Sequence, residues 1–266
     1  MTLTSWRVPA NAFDAEHKVT LRELLSMTGG INVPGYPGYE RGKPLPTATQ
    51  ILEGAPPANS PPVTVIAIPG TGYHYSGGGY QIIEAMVVDA TQKPFAEAMQ
   101  DLVLGPAKMS RSEFTPLPAR LEKDAAKAHL ADGSAVEGGW HVYPELAAAG
   151  LWSTPTDLAK LLITLGQAWQ GKQNPLFRQE SARAMLTRGP VGPYGLGAGI
   201  DGEGKALVVT KAGINLGYES VLIFYPATGQ GMVVMTKSKH GEVLCMALIR
   251  RAATLYDWPR VADFIE

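Results

Sequence analysis

Residues 69–80 read Pro69-Gly-Thr-Gly-Tyr-His-Tyr-Ser-Gly-Gly-Gly-Tyr80, a glycine-rich stretch between two apolar segments. An apolar run over residues 63–68 leads into it, and apolar residues at helical spacing follow from Tyr80 onward. So much glycine predicts a tight turn with exposed backbone and little side-chain bulk. Two interpretations fit this composition. Either Tyr75 and Ser76 face a substrate, or the stretch is a connector whose tyrosines cover the core.

The composition is that of an ordinary globular protein. Of the 266 residues, 45% are hydrophobic and 18% are charged, and the formal net charge is −1. This charge offers no electrostatic reason to expect nucleic acid or an anionic membrane as a partner. The single cysteine, Cys245, lies in an apolar run and excludes an internal disulfide. The sequence contains no apolar run long enough for a bilayer and no signal peptide, and it does not define the compartment.

The order of predicted elements indicates an α+β fold in a single domain over residues 1–266. Residues 1–190 are mainly helical, with capping boxes at Thr20-x-x-Glu23 and Thr47-x-x-Gln50 and an N-cap at Thr154. Residues 191–266 read as antiparallel strands joined by short glycine turns and closed by a C-terminal helix. We expect strands at 195–200, 206–211, 218–225 and 231–237, and helices at 179–187 and 242–255.

Four segments carry a family resemblance: Val19-Thr-Leu-Arg-Glu-Leu-Leu-Ser-Met-Thr-Gly-Gly30, Tyr75-Ser-Gly77, Trp152-Ser-Thr-Pro-Thr-Asp157 and Lys211-Ala-Gly213. Together they resemble the serine β-lactamase-like hydrolases, which include class C β-lactamases, family VIII carboxylesterases and D-alanyl-D-alanine peptidases. The resemblance covers nearly the whole chain, and the segments occur in the family's order. It implies a β-lactamase/transpeptidase-like fold, with a helical region packed on an antiparallel sheet. It also implies hydrolysis of small esters or amides through an acyl-enzyme.

The resemblance assigns roles to four residues. Tyr75 would move the proton of the nucleophile, and Lys211 would line the substrate from an edge strand. Gly213 would allow close approach, and the backbone N–H of Ile214 would donate to the oxyanion. Physical chemistry agrees, because a phenol acts as a base only where a nearby cation favours phenolate. A glycine, in turn, lets a carbonyl come within hydrogen-bond distance of the backbone.

Two positions depart from the family pattern. Gly77 stands where many relatives have Asn, and Ala212 replaces the hydroxyl of a Lys-Thr-Gly element. Both changes point away from penicillin or cephalosporin turnover and towards a simpler ester or amide. Trp140 and Tyr143 are expected to wall the substrate pocket, as aromatic residues do in relatives. Core packing of Trp140 fits equally well.

The nucleophile is the larger departure. Family members attack with the serine of a Ser-x-x-Lys motif, upstream of the segment that matches residues 19–30. No serine in this chain has lysine three residues on, so we expect the N-terminal strands and the nucleophile helix of the family to be missing. Ser76 is the candidate substitute, although neighbours on a turn seldom point the same way and a structural role is favoured. Ser153 and Ser220 are expected to make local contacts.

Three functional hypotheses follow: a serine hydrolase, an inactive homologue that binds a ligand, and a truncated homologue completed by a partner chain. Loss of a buried helix would leave an apolar groove, so we expect a homo-oligomer or a complementing chain. The expected ligand is a small ester or amide. We expect no nucleic acid or membrane partner. No cluster has metal-ligand spacing and no phosphate loop is present, so we expect no metal and no cofactor.

Overall fold

The computed structural model describes residues 3–114 and 117–260. Short α-helices and two longer ones fill the first two thirds of the chain, and the main β-sheet follows. The helices are α1 (Leu21–Leu25), α2 (Ala48–Glu53), α3 (Gly77–Thr91), α4 (Phe95–Met99, continued by a π-helical turn Gln100–Leu104), α5 (Ala119–Glu122), α6 (Leu146–Ala149), α7 (Pro155–Trp169), α8 (Gln179–Met185) and α9 (Gly241–Leu255). The strands are β1 (Glu113–Phe114), β2 (Leu151–Trp152), β3 (Gly199–Asp201), β4 (Val208–Asn215), β5 (Tyr218–Tyr225) and β6 (Gln230–Thr236).

The main sheet is antiparallel, with the strand order β3-β4-β5-β6. A two-residue turn at Leu216 and Gly217 joins β4 to β5, so Asn215 lies opposite Tyr218. Helix α9 packs on one face of the sheet, where Cys245 and Ile249 lie in one apolar cluster with strand residues. Helices α7 and α8 pack on the other face. The strands β1 and β2 form a separate short antiparallel pair.

The predicted helix starts are confirmed. Thr20 and Thr47 each form a complete capping box, with Glu23 and Gln50 as the reciprocal partners. The Thr154 side chain accepts a hydrogen bond from the backbone N–H of Asp157 at the start of α7. These signals are local, since each depends on a hydroxyl and a backbone group three residues apart.

Strand boundaries differ from the prediction by more than one residue at two places. The strand expected at 195–200 is reduced to β3, because the glycine-rich backbone before it turns sharply and Gly195 bonds to Ala198. The strand expected at 206–211 runs instead over β4. Lys211 therefore lies in the middle of a strand and not at its end, because β5 pairs with β4 as far as the turn. No helix of the described residues has the length and apolarity needed to cross a membrane.

Two buried carboxyl groups lie where α3 packs on the start of α6. Glu84 of α3 is 4% exposed and accepts a hydrogen bond from the Ala147 backbone N–H at 2.9 Å. Glu145 is fully buried, and neither of its carboxyl oxygens has a hydrogen-bond partner among the residues that the structure describes. Burial raises the pKa of each carboxyl from its ordinary value of 4.5 to about 7, and the charge of Glu84 adds to the effect at Glu145. The folded protein therefore holds these protons more tightly than the unfolded chain does.

This raised pKa predicts the direction of a pH effect on stability. The native state binds more protons between pH 4.5 and about 7, so these two groups lower the free energy of unfolding as pH rises through that window. Glu145→Gln removes one ionisation. Relative to wild type, its free energy of unfolding should rise by on the order of 1–3 kcal/mol between pH 5 and pH 8. Urea denaturation at the two pH values measures this difference.

Glu53→Gln is the matched control, because Glu53 is exposed at the end of α2. Its stability relative to wild type should change little between the two pH values. Equal shifts in the two variants would contradict a buried ionisation at Glu145.

Candidate active site

The glycine-rich stretch is a loop that ends in a capped helix. Ser76 is the N-cap of α3, and its Oγ accepts a hydrogen bond from the Gly79 N–H at 2.9 Å. The same hydroxyl donates to the Asn32 carbonyl at 2.6 Å. The helix therefore begins at Gly77, three residues earlier than the apolar spacing indicated. A Cβ on Gly78 would lie 2.9 Å from the Asn32 carbonyl oxygen, so glycine is needed there for the helix to approach this loop.

The structure brings Tyr75 and Lys211 together across 136 residues of sequence. The Lys211 Nζ donates to the Tyr75 hydroxyl at 3.0 Å and to the Ala212 carbonyl at 2.7 Å. The ammonium also lies 5.2 Å from the centre of the Tyr75 ring. Tyr75 is 43% exposed, so the phenol is open to a ligand from solvent. The lysine ammonium and the phenol oxygen are thus in direct hydrogen-bond contact on an exposed face.

The edge of β4 beside this pair has no strand neighbour among the described residues. β3 pairs with β4 only as far as Thr210, which leaves residues 211–215 bonded to β5 alone. The two-residue turn makes Asn215 and Tyr218 a hydrogen-bonded pair, and the alternation along β4 then directs the backbone groups of Ala212 and Ile214 outward. The bond from Lys211 to the Ala212 carbonyl fits this direction. The Ile214 N–H therefore faces the open side, near Lys211.

Two more tyrosines lie beside the pair, and the sequence did not single them out. The Tyr75 ring meets the Tyr194 ring edge-on at 6.2 Å, and the Tyr73 ring lies 5.5 Å from Tyr194. Burial raises the pKa of Tyr73 and Tyr194, so these phenols keep their protons. The signal for Tyr73 was its place in the glycine-rich stretch. Nothing local marks Tyr194, which reaches the site through the fold.

Trp140 and Tyr143 are placed in the interior and not along the open face. Trp140 is 6% exposed, packs on Trp152 and lies under the guanidinium of Arg41. This position matches the core-packing alternative. Tyr143 is 5% exposed, and its hydroxyl accepts a hydrogen bond from the Leu216 N–H at 2.8 Å. It supports the turn after β4, which positions Ile214. Neither ring has the exposure that direct contact with a substrate would need.

The remaining predicted residues are placed as follows. Gly77 is buried at the first position of α3, where a Cβ would lie 3.1 Å from the Tyr36 ring. Gly213 and Ala212 are exposed on β4, and a Cβ on Gly213 would meet the Ser220 Oγ at 2.9 Å. Ser153 contacts the Ser112 hydroxyl at 2.8 Å at the start of α7.

The serine hydroxyls near Tyr75 and Lys211 differ in burial and in the hydrogen bonds that they make. The Ser76 Oγ is 2.9 Å and 2.6 Å from two backbone groups and the residue is 3% exposed. This burial favours the structural role of Ser76. Ser220 lies opposite Gly213, on the same face of the sheet as Lys211 and diagonal to it. Its Oγ donates weakly to the Gly213 carbonyl at 3.4 Å. The described residues include no group of three or more His, Cys, Asp or Glu side chains that could hold a metal ion.

Comparison with known proteins identifies the family. The family model described as Beta-lactamase matches residues 6–255. The chain therefore belongs to the beta-lactamase family of hydrolases, and its fold is β-lactamase/transpeptidase-like. A search of curated proteins finds no match.

Solved structures share the fold at low sequence identity. A penicillin-binding protein from Bacillus halodurans matches with a TM-score of 0.64 at 23% identity, over 88% of this chain and 72% of its own. The octameric penicillin-binding protein homologue from Pyrococcus abyssi matches with a TM-score of 0.68 at 21% identity, over 97% and 60%. The D-amino acid amidase from Ochrobactrum anthropi SV3 matches with a TM-score of 0.68 at 19% identity, over 89% and 77%. The chain spans 55% of the length of another match, the SurE structure.

The position of Ser76 predicts the effect of removing its hydroxyl. Ser76→Ala deletes the cap of α3 and leaves the Asn32 carbonyl without this donor, which should lower the free energy of unfolding by about 1–3 kcal/mol. Chemical denaturation measures the loss. Ser181→Ala, at an exposed position of α8, should change stability by less than about 0.5 kcal/mol. Unchanged stability in Ser76→Ala would contradict the structural role.

Proposed function

We propose that the open face around Tyr75 and Lys211 is the substrate side of a serine-hydrolase site that cleaves small esters or amides through an acyl-enzyme. The observation that carries the proposal is the 3.0 Å hydrogen bond from the Lys211 Nζ to the Tyr75 hydroxyl. An exposed phenol under a lysine ammonium is suited to proton transfer at a reacting hydroxyl.

In this mechanism Tyr75 moves the proton and Lys211 supports the charge. Once the Tyr75 phenol has given its proton to solvent, its oxygen accepts the proton of the attacking hydroxyl, whose oxygen bonds to the substrate carbonyl carbon. Tyr75 then returns the proton to the leaving alcohol or amine as the carbon–oxygen or carbon–nitrogen bond breaks. The ammonium of Lys211 stabilises the phenolate through the same hydrogen bond.

The edge of β4 would hold the carbonyl of the substrate. The N–H of Ile214 points to the open side, and Gly213 before it leaves room for a carbonyl oxygen to approach. Negative charge that develops on that oxygen would meet a backbone donor and the nearby ammonium of Lys211. The absence of side chains beyond Cβ at Ala212 and Gly213 leaves this edge open to substrates of varied shape.

A second candidate function is ligand binding without turnover, by an inactive homologue or by one that needs a partner chain. It is favoured by the lack of a Ser-x-x-Lys motif in this sequence and by the engagement of the Ser76 hydroxyl in the cap of α3. Under this alternative the Tyr75–Lys211 face binds a small ester or amide and releases it unchanged. Either a partner chain supplies the nucleophile, or none acts.

A fluorophosphonate probe separates the two functions. Intact mass after labelling, followed by digestion, shows whether one serine forms an adduct and which one it is. Ser76→Ala and Ser220→Ala test the serine that follows Tyr75 and the serine that lies opposite Gly213. An adduct at one serine, lost in the matching variant, supports the hydrolase. No adduct, with ester binding detected by calorimetry, supports the binding function.

The roles proposed for Tyr75 and Lys211 predict how their substitution affects turnover. Tyr75→Phe and Lys211→Ala should each lower the kcat/KM for ester hydrolysis by about 100-fold or more, because each removes part of the proton transfer. The rate of p-nitrophenyl ester hydrolysis measures the loss. The controls are Tyr256→Phe and Lys205→Ala, since both residues are exposed away from this face. Hydrolysis that survives both changes in the pair would show that the site lies elsewhere.

A further inference from the structure

Four polar side chains meet in the interior, where α3 packs on the start of α6. Gln81 and Glu84 lie three residues apart on one face of α3, and Glu145 comes directly before α6. Burial raises the pKa of the Tyr36 phenol, and the charges of Glu145 and Glu84 add to that rise, so the phenol lies beside both carboxyls. Tyr36, Gln81, Glu84 and Glu145 are called the polar cluster below.

The polar cluster is sealed, and its hydrogen bonds are incomplete. Gln81 and Glu145 are each 0% exposed, and the Tyr36 hydroxyl is buried as well. Five atoms have no hydrogen-bond partner among the described residues: the Tyr36 hydroxyl oxygen, both amide atoms of Gln81 and both carboxyl oxygens of Glu145. Nearly all buried polar atoms in folded proteins have a partner, so five unpaired ones in one place point to a bound group.

The burial of these atoms does not depend on any further segment. The described residues by themselves exclude solvent from Gln81 and Glu145. The unpaired atoms are therefore an interior feature of this part of the chain, and they do not belong to a surface that another segment or a second copy would cover.

The polar cluster also has no positive side chain to balance its carboxyls. None of the ion pairs between described residues includes Glu84 or Glu145. A charged carboxylate in the interior is unfavourable unless a cation or several hydrogen bonds compensate for the lost water. The one hydrogen bond from the Ala147 N–H to Glu84 does not provide this for both groups. A cation between the two carboxyls would balance their charge and bond to the unpaired oxygens together.

The chemistry of the donor atoms favours Ca²⁺. Carboxylate, amide and phenol oxygens are hard ligands, which suit Ca²⁺ and Mg²⁺. Ca²⁺ binds about six to eight oxygens at roughly 2.3–2.6 Å and accepts carboxylates through both oxygens. Mg²⁺ usually keeps several of its waters, for which a sealed site has no room. Oxygens that share one Ca²⁺ lie about 3–5 Å apart, so they do not need to hydrogen-bond to one another.

We propose that the polar cluster is a structural Ca²⁺ site, separate from the Tyr75–Lys211 face. Its ligands are both carboxyl oxygens of Glu84 and of Glu145, the amide oxygen of Gln81 and the hydroxyl oxygen of Tyr36. These side chains supply about six oxygens and two negative charges, which match the coordination and the charge of the ion. The Glu84 oxygen that accepts the Ala147 N–H has a second lone pair for the ion.

A bound ion would fasten three segments of the chain to one another. The ligands come from the loop at Tyr36, from α3 and from the residue before α6. The Tyr36 ring also packs on the start of α3, since a Cβ on Gly77 would lie 3.1 Å from it. Ca²⁺ should therefore stabilise the packing of α3, the helix that follows Tyr75.

Calorimetry on the full chain tests the proposal. Protein treated with EDTA and dialysed into metal-free buffer at pH 8 is titrated with CaCl₂, and elemental analysis measures the bound metal. We expect one Ca²⁺ per chain with a Kd of about 100 µM or lower, and binding of MgCl₂ that is weaker by about 100-fold or more. Ca²⁺ at about 1 mM should raise the urea midpoint of unfolding, because the ion binds only the folded chain.

Two variants and one control identify the ligands. Glu145→Gln removes one charge, and Gln81→Met removes the amide at similar volume. Each should raise the Kd for Ca²⁺ by about 100-fold or more. Glu53→Gln, at an exposed position of α2, should bind like wild type. Circular dichroism in EDTA shows that the variants are folded.

The sign of the stability change separates an ion ligand from a merely structural residue. In EDTA at pH 8, Glu145→Gln should unfold at a higher urea concentration than wild type, because it buries no charge. In 1 mM CaCl₂ the order should reverse. A wild type that binds no Ca²⁺ and shows no shift of its midpoint would overturn the proposal. Equal stabilisation by NaCl at matched ionic strength, or full binding in both variants, would overturn it too.

Discussion

The hydroxyl of Ser76 is the contact on which the geometry of the candidate site depends. It caps α3 through Gly79 and ties the start of that helix to the Asn32 carbonyl. Because these two hydrogen bonds fix the position of Ser76, they also set the direction of the preceding residue, Tyr75. The Tyr75 phenol then lies within hydrogen-bond distance of Lys211 on β4. One buried hydroxyl thus links helix packing to the placement of an exposed functional group.

Among the described residues, the edge of β4 beyond its pairing with β3 carries the chemistry of the candidate site. Along residues 211–215 the edge of β4 offers small side chains, a lysine ammonium and an outward N–H, which suit a small polar ligand.

Local signals predicted the helix starts and the short connections between antiparallel strands. The family resemblance, and no local signal, placed Tyr75 and Lys211 in one site. The boundaries of β3 and β4 were predicted less well, because they depend on where neighbouring strands stop and not on the residues themselves. The placement of Trp140 followed from the packing of Arg41 and Trp152 around it. Tyr194 joins the site from more than a hundred residues away, and its own neighbourhood in the sequence contains no sign of this.

The sequence by itself determined the α+β class, the family and the chemical types at Tyr75, Lys211 and Gly213. These follow from caps, turns and motifs that act over a few residues. Only the tertiary structure decided that Ser76 is buried in a cap, that Trp140 and Tyr143 lie in the interior, and that the Glu145 carboxyl is buried without a hydrogen-bond partner among the described residues. Burial and hydrogen-bond pairing are properties of the packed chain, because they depend on which distant groups exclude water from each residue.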